Sequence, residues 1–181
     1  MGNIQEVAPV KLVCGLIYGD DETYQIVLER LEKMYGPVEF ESEHSSFSHT
    51  DYYTKEMGAE LTRTFISFVE PVQPDKLNAI KLATNTIEQE YTNEAGGRRI
   101  NIDPGYVTMA NLVLASTKDF SHRIYIGNGI YAEITLLYED KAFRPLKWTY
   151  PDYQTDSTLS FLKRVRESLK DFISVSHEKA V

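Results

Sequence analysis

Residues 98–138 decide the fold, because strand patterns and unusual polar residues alternate there more densely than elsewhere: RRINIDPGYVTMANLVLASTKDFSHRIYIGNGIYAEITLLY. At the centre of this stretch, Asn128-Gly129 tolerates the positive φ angles that a tight two-residue turn requires. Alternating β-branched and aromatic residues lie on both sides of this dipeptide. The pattern therefore predicts a β-hairpin with its tip at Asn128-Gly129.

The length of the hairpin turn decides which side chains meet across it. With a two-residue turn, Gly127 opposes Ile130, and His122 and Glu133 are diagonal neighbours on one face, about 7–8 Å apart at the backbone. This register predicts a histidine oriented by a carboxylate, as in general base catalysis or metal ligation, although a plain polar pair is the alternative. With a three-residue turn, Arg123 directly opposes Glu133 in an ordinary salt bridge, so a bulge at Gly127 would argue against the histidine pair.

The beginning of the same stretch allows two interpretations. Residues 98–103 alternate as a strand, and Pro104-Gly105 predicts a turn directly after it. Asp103 is then either a ligand-binding group at a strand end or part of the turn, and the turn is preferred. Residues 107–116 fit a strand or a short helix capped by Thr108, and the helix is preferred.

The rest of the chain contains further strand and helix patterns. In chain order, they predict a buried central strand (10–18), a helix stopped by Gly36-Pro37 (24–35), a strand with one wet face (38–41), a strand (64–69), a helix (77–91), a short strand (143–148) and a final helix capped by Thr155-Asp156-Ser157. Residues 42–60 show no periodicity, which indicates a long loop that is functional or mobile.

The repeated strand-helix-strand order predicts an α+β fold, a two-layer sandwich in which helices pack largely on one face of a mostly antiparallel sheet. The two units predict a ferredoxin-like core, extended by the β-hairpin and a C-terminal helix. No internal repeat or linker interrupts the sequence. We therefore expect residues 1–181 to form a single domain, with an ordered core over 9–173 and a frayed tail over 174–181.

Composition limits the possible classes of protein. The 181 residues carry a net charge of −8, with 42% hydrophobic and 25% charged residues. These values disfavour disordered and membrane proteins, and the negative field disfavours general nucleic-acid binding. The single cysteine, Cys14, lies in an apolar run and is expected to be a buried structural residue. The N-terminus has no secretory or myristoylation signal, which favours a cytoplasmic location.

A short segment before the hairpin combines two cations with a carboxylate and an imidazole. Lys118 and Asp119 precede His122 and Arg123. Arg123 and Lys118 could hold the phosphate or carboxylate of a small ligand, because both side chains bind such anions. A solvated charged turn is the alternative.

Two polar loops place carboxylates among tyrosines. The first contains Asp51-Tyr52-Tyr53, and the second contains Tyr150, Asp152 and Tyr153. Tyrosines in this setting can line a pocket for a sugar, a base or a cation. These loops add Asp51, Tyr150 and Asp152 to the candidate ligand-binding residues.

Metal and phosphate-loop motifs are absent from the sequence. His49 and His122, with His44 and Asp51, are the weak candidates for metal ligands, but their spacing matches no recognised metal site, so none is predicted. No phosphate-loop, dinucleotide-binding or nucleophile-elbow pattern occurs. Thr117-Lys118-Asp119 lacks the spacer of the Thr-Lys-x-Asp element that reads guanine.

Four long strings in the chain resemble those of a bacterial domain-of-unknown-function family, number 4416: PVKLVCGLIYGD, FSHTDYYTKEMG, NIDPGYVTMANLVLASTKDFSHRIYIGNGIYAEITLLY and WTYPDY. The resemblance extends from about Pro9 to Leu169. It implies a small bacterial cytoplasmic protein without an established activity, in a family of which some members are labelled GTP-binding. The strings include eight candidates, which supports treating them as one site: Asp51, Asp103, Lys118, Asp119, His122, Arg123, Glu133 and Asp152.

Three functional hypotheses follow. The first is a domain that binds a small anionic or nucleotide-like ligand through Lys118 and Arg123. The second is a hydrolase or transferase with His122 as general base and Glu133 orienting it. The third is a non-catalytic interaction module whose tyrosine loops contact a partner. A deep pocket joining both aromatic loops to His122 would favour the first two, whereas a flat apolar patch would favour the third. The sequence indicates no particular cofactor, substrate or oligomeric state.

Overall fold

The computed structural model describes residues 2–3, 7–48, 50 and 52–178. In this part of the chain, nine strands form one sheet in which every paired strand is antiparallel to its neighbour. The strands are β1 (Lys11–Tyr18), β2 (Val38–Glu41), β3 (Ser45–Ser46), β4 (Thr62–Phe68), β5 (Ile100–Val107), β6 (Asn111–Ser116), β7 (Ile124–Gly127), β8 (Ile130–Glu139) and β9 (Ala142–Pro145). The helices are α1 (Asp21–Tyr35), α2 (Thr54–Met57), α3 (Leu77–Glu90) and α4 (Asp156–Glu178), with 3₁₀ turns at Pro74–Lys76 and Pro151–Gln154.

The sheet combines a ferredoxin-like core with a hairpin extension. Its spatial order begins β2-β4-β1-β5, with α1 and α3 as the two helical connections, which is the ferredoxin-like arrangement. The order continues through β6 and β8 to β7, while β3 pairs with β4 and β9 pairs with β8. The predicted α+β sandwich, the added hairpin and the C-terminal helix are confirmed.

Strand β1 lies at the centre of the core, and all eight of its residues are buried. Its side chains alternate between the two faces of the sheet, as a period of two requires. Leu12 and Leu16 share one apolar cluster with residues of α1 and α3, whereas Val13 shares another with residues of α4. Helix α4 therefore covers the opposite face from α1 and α3, so helices pack on both faces of the sheet and not largely on one as expected. This explains why the strand is apolar on both sides.

The first helix begins and ends where its sequence indicates. Asp20 caps it by accepting a hydrogen bond from the Thr23 N–H at 2.8 Å, and Gly36 ends it with a φ of 89°. Tyr24 and Leu31 form part of its buried face. The last helix, α4, continues to Glu178.

The predicted turn at Pro104-Gly105 and the predicted helix over 107–116 are wrong. Strand β5 runs through Pro104-Gly105, and β6 occupies residues 111–116. A Cβ on Gly105 would lie 2.4 Å from the Val113 carbonyl oxygen, so the glycine permits the close approach of β6 rather than a turn. Thr108 caps no helix; its hydroxyl accepts the Asn111 N–H in the β5–β6 connection.

The hairpin between β7 and β8 combines features of both predicted registers. Asn128 and Gly129 form its tip with φ angles of 56° and 77°, and Gly127 opposes Ile130, as a two-residue turn requires. The register then shifts between Tyr125 and Gly127, which makes Ile126 a bulged residue. Beyond this bulge, the pairing follows the register of the three-residue alternative.

Alanine at Gly105 should destabilise the fold, because its Cβ would clash with the backbone of β6. We expect Gly105→Ala to lower the free energy of unfolding by about 1–3 kcal/mol in urea titrations. Gly19→Ala is the matched control, because its Cβ would meet its nearest neighbour, the Met57 carbonyl oxygen, at 3.4 Å. Equal stability of Gly105→Ala and the wild type would show that the close approach of β6 does not require a glycine at position 105.

Candidate ligand-binding cavity

Strands β5 and β6 separate partway along their length. They pair only over residues 105–107 of β5 and 112–114 of β6. A cavity of about 410 Å³ lies in the resulting gap. Its lining comes from both separated strands, from α3 and from the two tyrosine loops, and includes Tyr52, Tyr53, Arg63, Lys81, Asn85, Glu88, Arg98, Asn101, Asp103, Ser116, Lys118, Arg123, Glu133, Tyr150, Asp152 and Tyr153.

Polar side chains of α3 take the place of a neighbouring strand beside this gap. Ile102 of β5 donates its N–H to Glu88 Oε1 at 2.6 Å, and its carbonyl accepts from Lys81 Nζ at 2.8 Å. Backbone groups alternate in direction along an antiparallel strand, so residue 104 points toward the same gap as Ile102. Pro104 has no N–H, and it therefore leaves no donor unpaired at the point where the strands separate.

Arg63 of β4 forms the floor of the cavity and has a side chain that is only 3% exposed. Its guanidinium lies 4.4 Å from the ring centroid of Phe65 and 5.1 Å from that of Tyr153. The side chain crosses over Gly15 of β1, where a Cβ would lie 2.7 Å from Arg63 Nη2. Glycine at this position therefore provides the space that the guanidinium occupies.

Two carboxylates balance the buried charge of Arg63. Asp152 Oδ2 lies 2.9 Å from Nη2, and Asp103 Oδ2 lies 3.7 Å from Nη1. Burial by itself lowers the pKa of Arg63, but the negative charges around it, those of Asp152 and Asp103 among them, outweigh this effect and raise the pKa above its ordinary value. Asp103 also accepts a hydrogen bond from Asn101 of the same strand at 2.8 Å. Because Asp103 contacts Arg63 as well, this carboxylate connects β4 and β5.

Three buried polar atoms at the floor have no hydrogen-bond partner among the described residues. They are Nε and Nη1 of Arg63 and the hydroxyl of Tyr153. Burial raises the pKa of Tyr153 well above its ordinary value, so this hydroxyl keeps its proton and can donate. Unpaired buried donors are costly, and they commonly mark a position that water or a ligand occupies.

A second ion-pair network forms the side wall of the cavity. Arg98 donates to Glu88 Oε2 at 2.7 Å, to Glu56 Oε1 at 2.7 Å and to Asn101 Oδ1 at 2.9 Å. Burial raises the pKa of Glu88, whereas hydrogen bonds from Arg98 lower the pKa of Glu56. Because Glu56 belongs to α2, this network connects the first tyrosine loop to the start of β5.

Two further cations, the exposed Lys118 and the largely buried side chain of Arg123, line a second part of the cavity, which we call the rim. Lys118 is exposed, and its Nζ lies 3.1 Å from the Tyr52 hydroxyl and 4.4 Å from the centroid of the same ring. Arg123 donates from Nε to Glu133 Oε2 at 2.6 Å and from Nη1 to the Lys118 carbonyl at 3.0 Å. The rim therefore joins the first tyrosine loop to the segment before the hairpin.

The predicted contact between His122 and Glu133 is present despite the hairpin bulge. His122 Nε2 lies 3.0 Å from Glu133 Oε2, the same oxygen that accepts from Arg123. The three-residue register predicts an Arg123–Glu133 salt bridge in place of the histidine pair, but the structure contains both contacts, because the buried carboxylate reaches both side chains. The His122 ring stacks on Trp148 at a centroid distance of 4.7 Å and is not part of the cavity lining.

The cavity brings together six of the candidate residues: Asp103, Lys118, Arg123, Glu133, Tyr150 and Asp152. Asp119 is exposed and does not line it. Asp51 and His49 lie outside the described residues. Asp103 lies within β5 rather than in a turn, so the preferred interpretation of this residue is corrected.

The described residues contain no group of three or more histidine, cysteine, aspartate or glutamate side chains that could hold a metal ion. His44 and His122 belong to separate clusters. The His44 Nδ1 atom lies 2.5 Å from the Tyr18 hydroxyl, and its Nε2 lies 2.6 Å from Glu41 Oε1. Burial raises the pKa of Tyr18 to about 12, so this cluster joins the loop after β2 to the end of β1 through a protonated phenol.

Several cavity residues were not among the candidates from the sequence, although α3 carries a signal for two of them. Lys81 and Glu88 lie seven residues apart, on one side of the apolar stripe that contains Ile80 and Ile87. Both charged side chains are buried, which a charged pair next to a core stripe can indicate. Arg63 had a weaker signal, namely a lone cation within an apolar strand.

The model of the family described as "Domain of unknown function (DUF4416)" matches residues 8–169. The chain belongs to this family. The resemblance inferred from the sequence is thereby confirmed. No curated protein and no solved structure gives a significant match. The family description assigns no activity, so the function of this DUF4416 domain must be argued from its cavity.

Among the described residues of the DUF4416 domain, no helix combines the length and the apolar character needed to cross a membrane.

The ion pair between Glu56 and Arg98 should make a pH-dependent contribution to stability. The Glu56 pKa is lower in the folded protein than the ordinary 4.5, so the pair stabilises the fold above pH 4.5 and loses this effect as the pH falls through the folded pKa. We expect Glu56→Gln to cost under about 1 kcal/mol at pH 7, because the pair is partly exposed, and to cost progressively less as the pH falls below 4.5.

Urea unfolding of the wild type and the variant at several pH values measures this difference. Glu94→Gln is the matched control, because Glu94 is exposed and the substitution removes the same charge. A cost that stays constant between pH 3 and pH 7 would contradict the ion-pair explanation.

Proposed function

We propose that this DUF4416 domain binds a small anionic, nucleotide-like ligand in the cavity, with the anionic group at Lys118 and Arg123. The observation that carries the proposal is the convergence of these two cations with both tyrosine loops around one cavity. Its volume of about 410 Å³ lies within the range of small-molecule sites, which is roughly 300–1,000 Å³.

The charge at the rim favours an anion. Lys118 and Arg123 line this part of the cavity together with one carboxylate, Glu133, which pairs with Arg123, so the lining here has an excess of positive charge. The whole chain has a net charge of −8 and gives an anion no long-range attraction. Local cations must therefore supply the attraction, and short-range hydrogen bonds from lysine and arginine are well suited to phosphate or carboxylate oxygens.

Aromatic side chains supply the surface for the rest of the ligand. Tyr52, Tyr53, Tyr150 and Tyr153 line the cavity from the two loops. Phenol rings offer an apolar face to a sugar or a base and a hydroxyl for hydrogen bonding. Because these tyrosines surround a concave site rather than a flat patch, the geometry favours a ligand site over an interaction surface.

The catalytic alternative stays a prediction. His122 and Glu133 are in contact, but His122 lies against Trp148, and Arg123 shares the carboxylate oxygen. This arrangement favours Glu133 as a group that positions Arg123 at the cavity wall. A bacterial origin and a cytoplasmic location also stay predictions from the sequence.

A thermal-shift screen with AMP, ribose 5-phosphate, inorganic phosphate and divalent metal ions tests the proposal. At a concentration of about one hundred times Kd, a ligand should raise Tm by about 5–10 °C. Arg123→Ala should abolish the shift, whereas His122→Ala should retain most of it. A shift in Tm that is identical in the wild type and Arg123→Ala would exclude this part of the cavity as the binding site.

Calorimetric titration with the best phosphate monoester should show that Lys118→Gln weakens binding by about tenfold or more, because a charge-assisted hydrogen bond is lost. Lys163→Gln is the matched control, since Lys163 is exposed on α4 and does not line the cavity. Equal losses in the two lysine variants would indicate general charge effects, and failure of every phosphate compound to bind would refute the proposed function.

A further inference from the structure

The floor of the cavity has no excess of positive charge, in contrast to the rim. Its cations, Arg63 and Lys81, are paired with Asp103 and Asp152. The adjoining side wall adds Arg98, which is paired with Glu56 and Glu88. A phosphate that reached this position would lie beside Asp103 and Asp152. Like charges at short distance inside a protein repel strongly, so the anionic group of a ligand belongs at the rim.

The floor instead offers hydrogen-bond donors and acceptors side by side. The donors are the unpaired Nε and Nη1 of Arg63 and the hydroxyl of Tyr153. The acceptors are the carboxylates of Asp103, which is 29% exposed, and Asp152, which is 10% exposed. Among the described residues, the side-chain amide of Asn85 also lines the cavity without a hydrogen-bond partner, and an amide can both donate and accept.

This combination suits a neutral group of the ligand better than a charged one. A carboxylate or a fully ionised phosphate monoester accepts hydrogen bonds but has no proton to donate to Asp103 or Asp152. An ammonium group donates but would lie beside Arg63 and Lys81. A neutral group with adjacent donors and acceptors satisfies both sets, because it donates to the carboxylates and accepts from the arginine and the tyrosine.

From this we infer that the ligand is a phosphate monoester that binds with its phosphate at the rim and a neutral donor–acceptor group, a sugar diol or the donor–acceptor edge of a base, at the floor. The inference rests on the proposed function and adds the ligand's orientation and chemical class. A site built to hydrogen-bond hydroxyl or N–H groups rejects analogues without them, because its buried polar atoms are then left unpaired.

Calorimetric titrations of the full chain with inorganic phosphate, ribose 5-phosphate, 2-deoxyribose 5-phosphate and AMP test this orientation. We expect ribose 5-phosphate or AMP to bind about tenfold or more tightly than inorganic phosphate. If the floor holds a sugar diol, 2-deoxyribose 5-phosphate should bind about tenfold more weakly than ribose 5-phosphate. If it holds a base edge, AMP should bind tightly and ribose 5-phosphate no better than inorganic phosphate. Equal affinities for all four compounds would overturn the inference.

Asp103→Asn distinguishes the two possible orientations of the ligand, because they predict opposite changes in binding affinity. If a neutral group lies at the floor, this variant should weaken binding of the monoester by about tenfold and leave the affinity for inorganic phosphate unchanged. If the phosphate itself lies at the floor, the loss of a negative charge should strengthen binding of both compounds, which would overturn the inference. Asp119→Asn removes the same charge outside the cavity and should change neither affinity.

A second variant keeps the test valid if Asp103→Asn does not fold. Asn85→Ala removes a cavity amide that has no hydrogen-bond partner in the described chain, so its stability should be close to wild type. We expect this variant to weaken binding of the monoester severalfold without changing the affinity for inorganic phosphate. Equal weakening of both would overturn the inference.

If no phosphate compound binds the wild type at all, the proposed function fails; if inorganic phosphate and the monoesters bind equally, only the orientation fails.

Discussion

The buried guanidinium of Arg63 is the constraint on which this face of the structure depends. A charge inside a protein costs several kcal/mol unless opposite charges and hydrogen bonds surround it. Asp103 and Asp152 supply the opposite charges, one from β5 and the other from the turn before α4. The pairing therefore fixes three separate parts of the chain relative to one another. Gly15 makes the arrangement possible, since any larger residue on β1 would occupy the space of the guanidinium.

Helix α3 connects this charged floor to the apolar core. Its Ile80 and Ile87 pack in the main cluster beneath the sheet, while Lys81 and Glu88 bind the backbone of Ile102. These two hydrogen bonds replace a strand partner, so the N–H and carbonyl of Ile102 stay paired where β5 separates from β6. The separation produces a cavity in which charged groups are held by packed secondary structure, and the side chains of such a site are well ordered before a ligand arrives.

Much of the fold could be predicted from local pattern, because the elements concerned carry their own signals. The apolar run of β1, the Asp20 cap and Gly36 end of α1, and the Asn128-Gly129 turn each depend on residues close in sequence. Pro104-Gly105 could not be predicted in the same way. This dipeptide commonly forms turns, and its role within a strand depends on how closely β6 approaches, which is a property of the packed sheet.

The sequence by itself determined the α+β class, the hairpin tip and the closeness of Lys118, Arg123 and Glu133, since all of these depend on short-range pattern. Only the tertiary structure decided that Arg63, Lys81 and Asp103 meet at one floor, because they come from elements whose contact depends on strand register and helix packing. The bulge at Ile126 illustrates the same limit. One extra residue changes the register, and the buried Glu133 carboxylate then contacts both His122 and Arg123, a result that side-chain reach decides and alternation alone cannot predict.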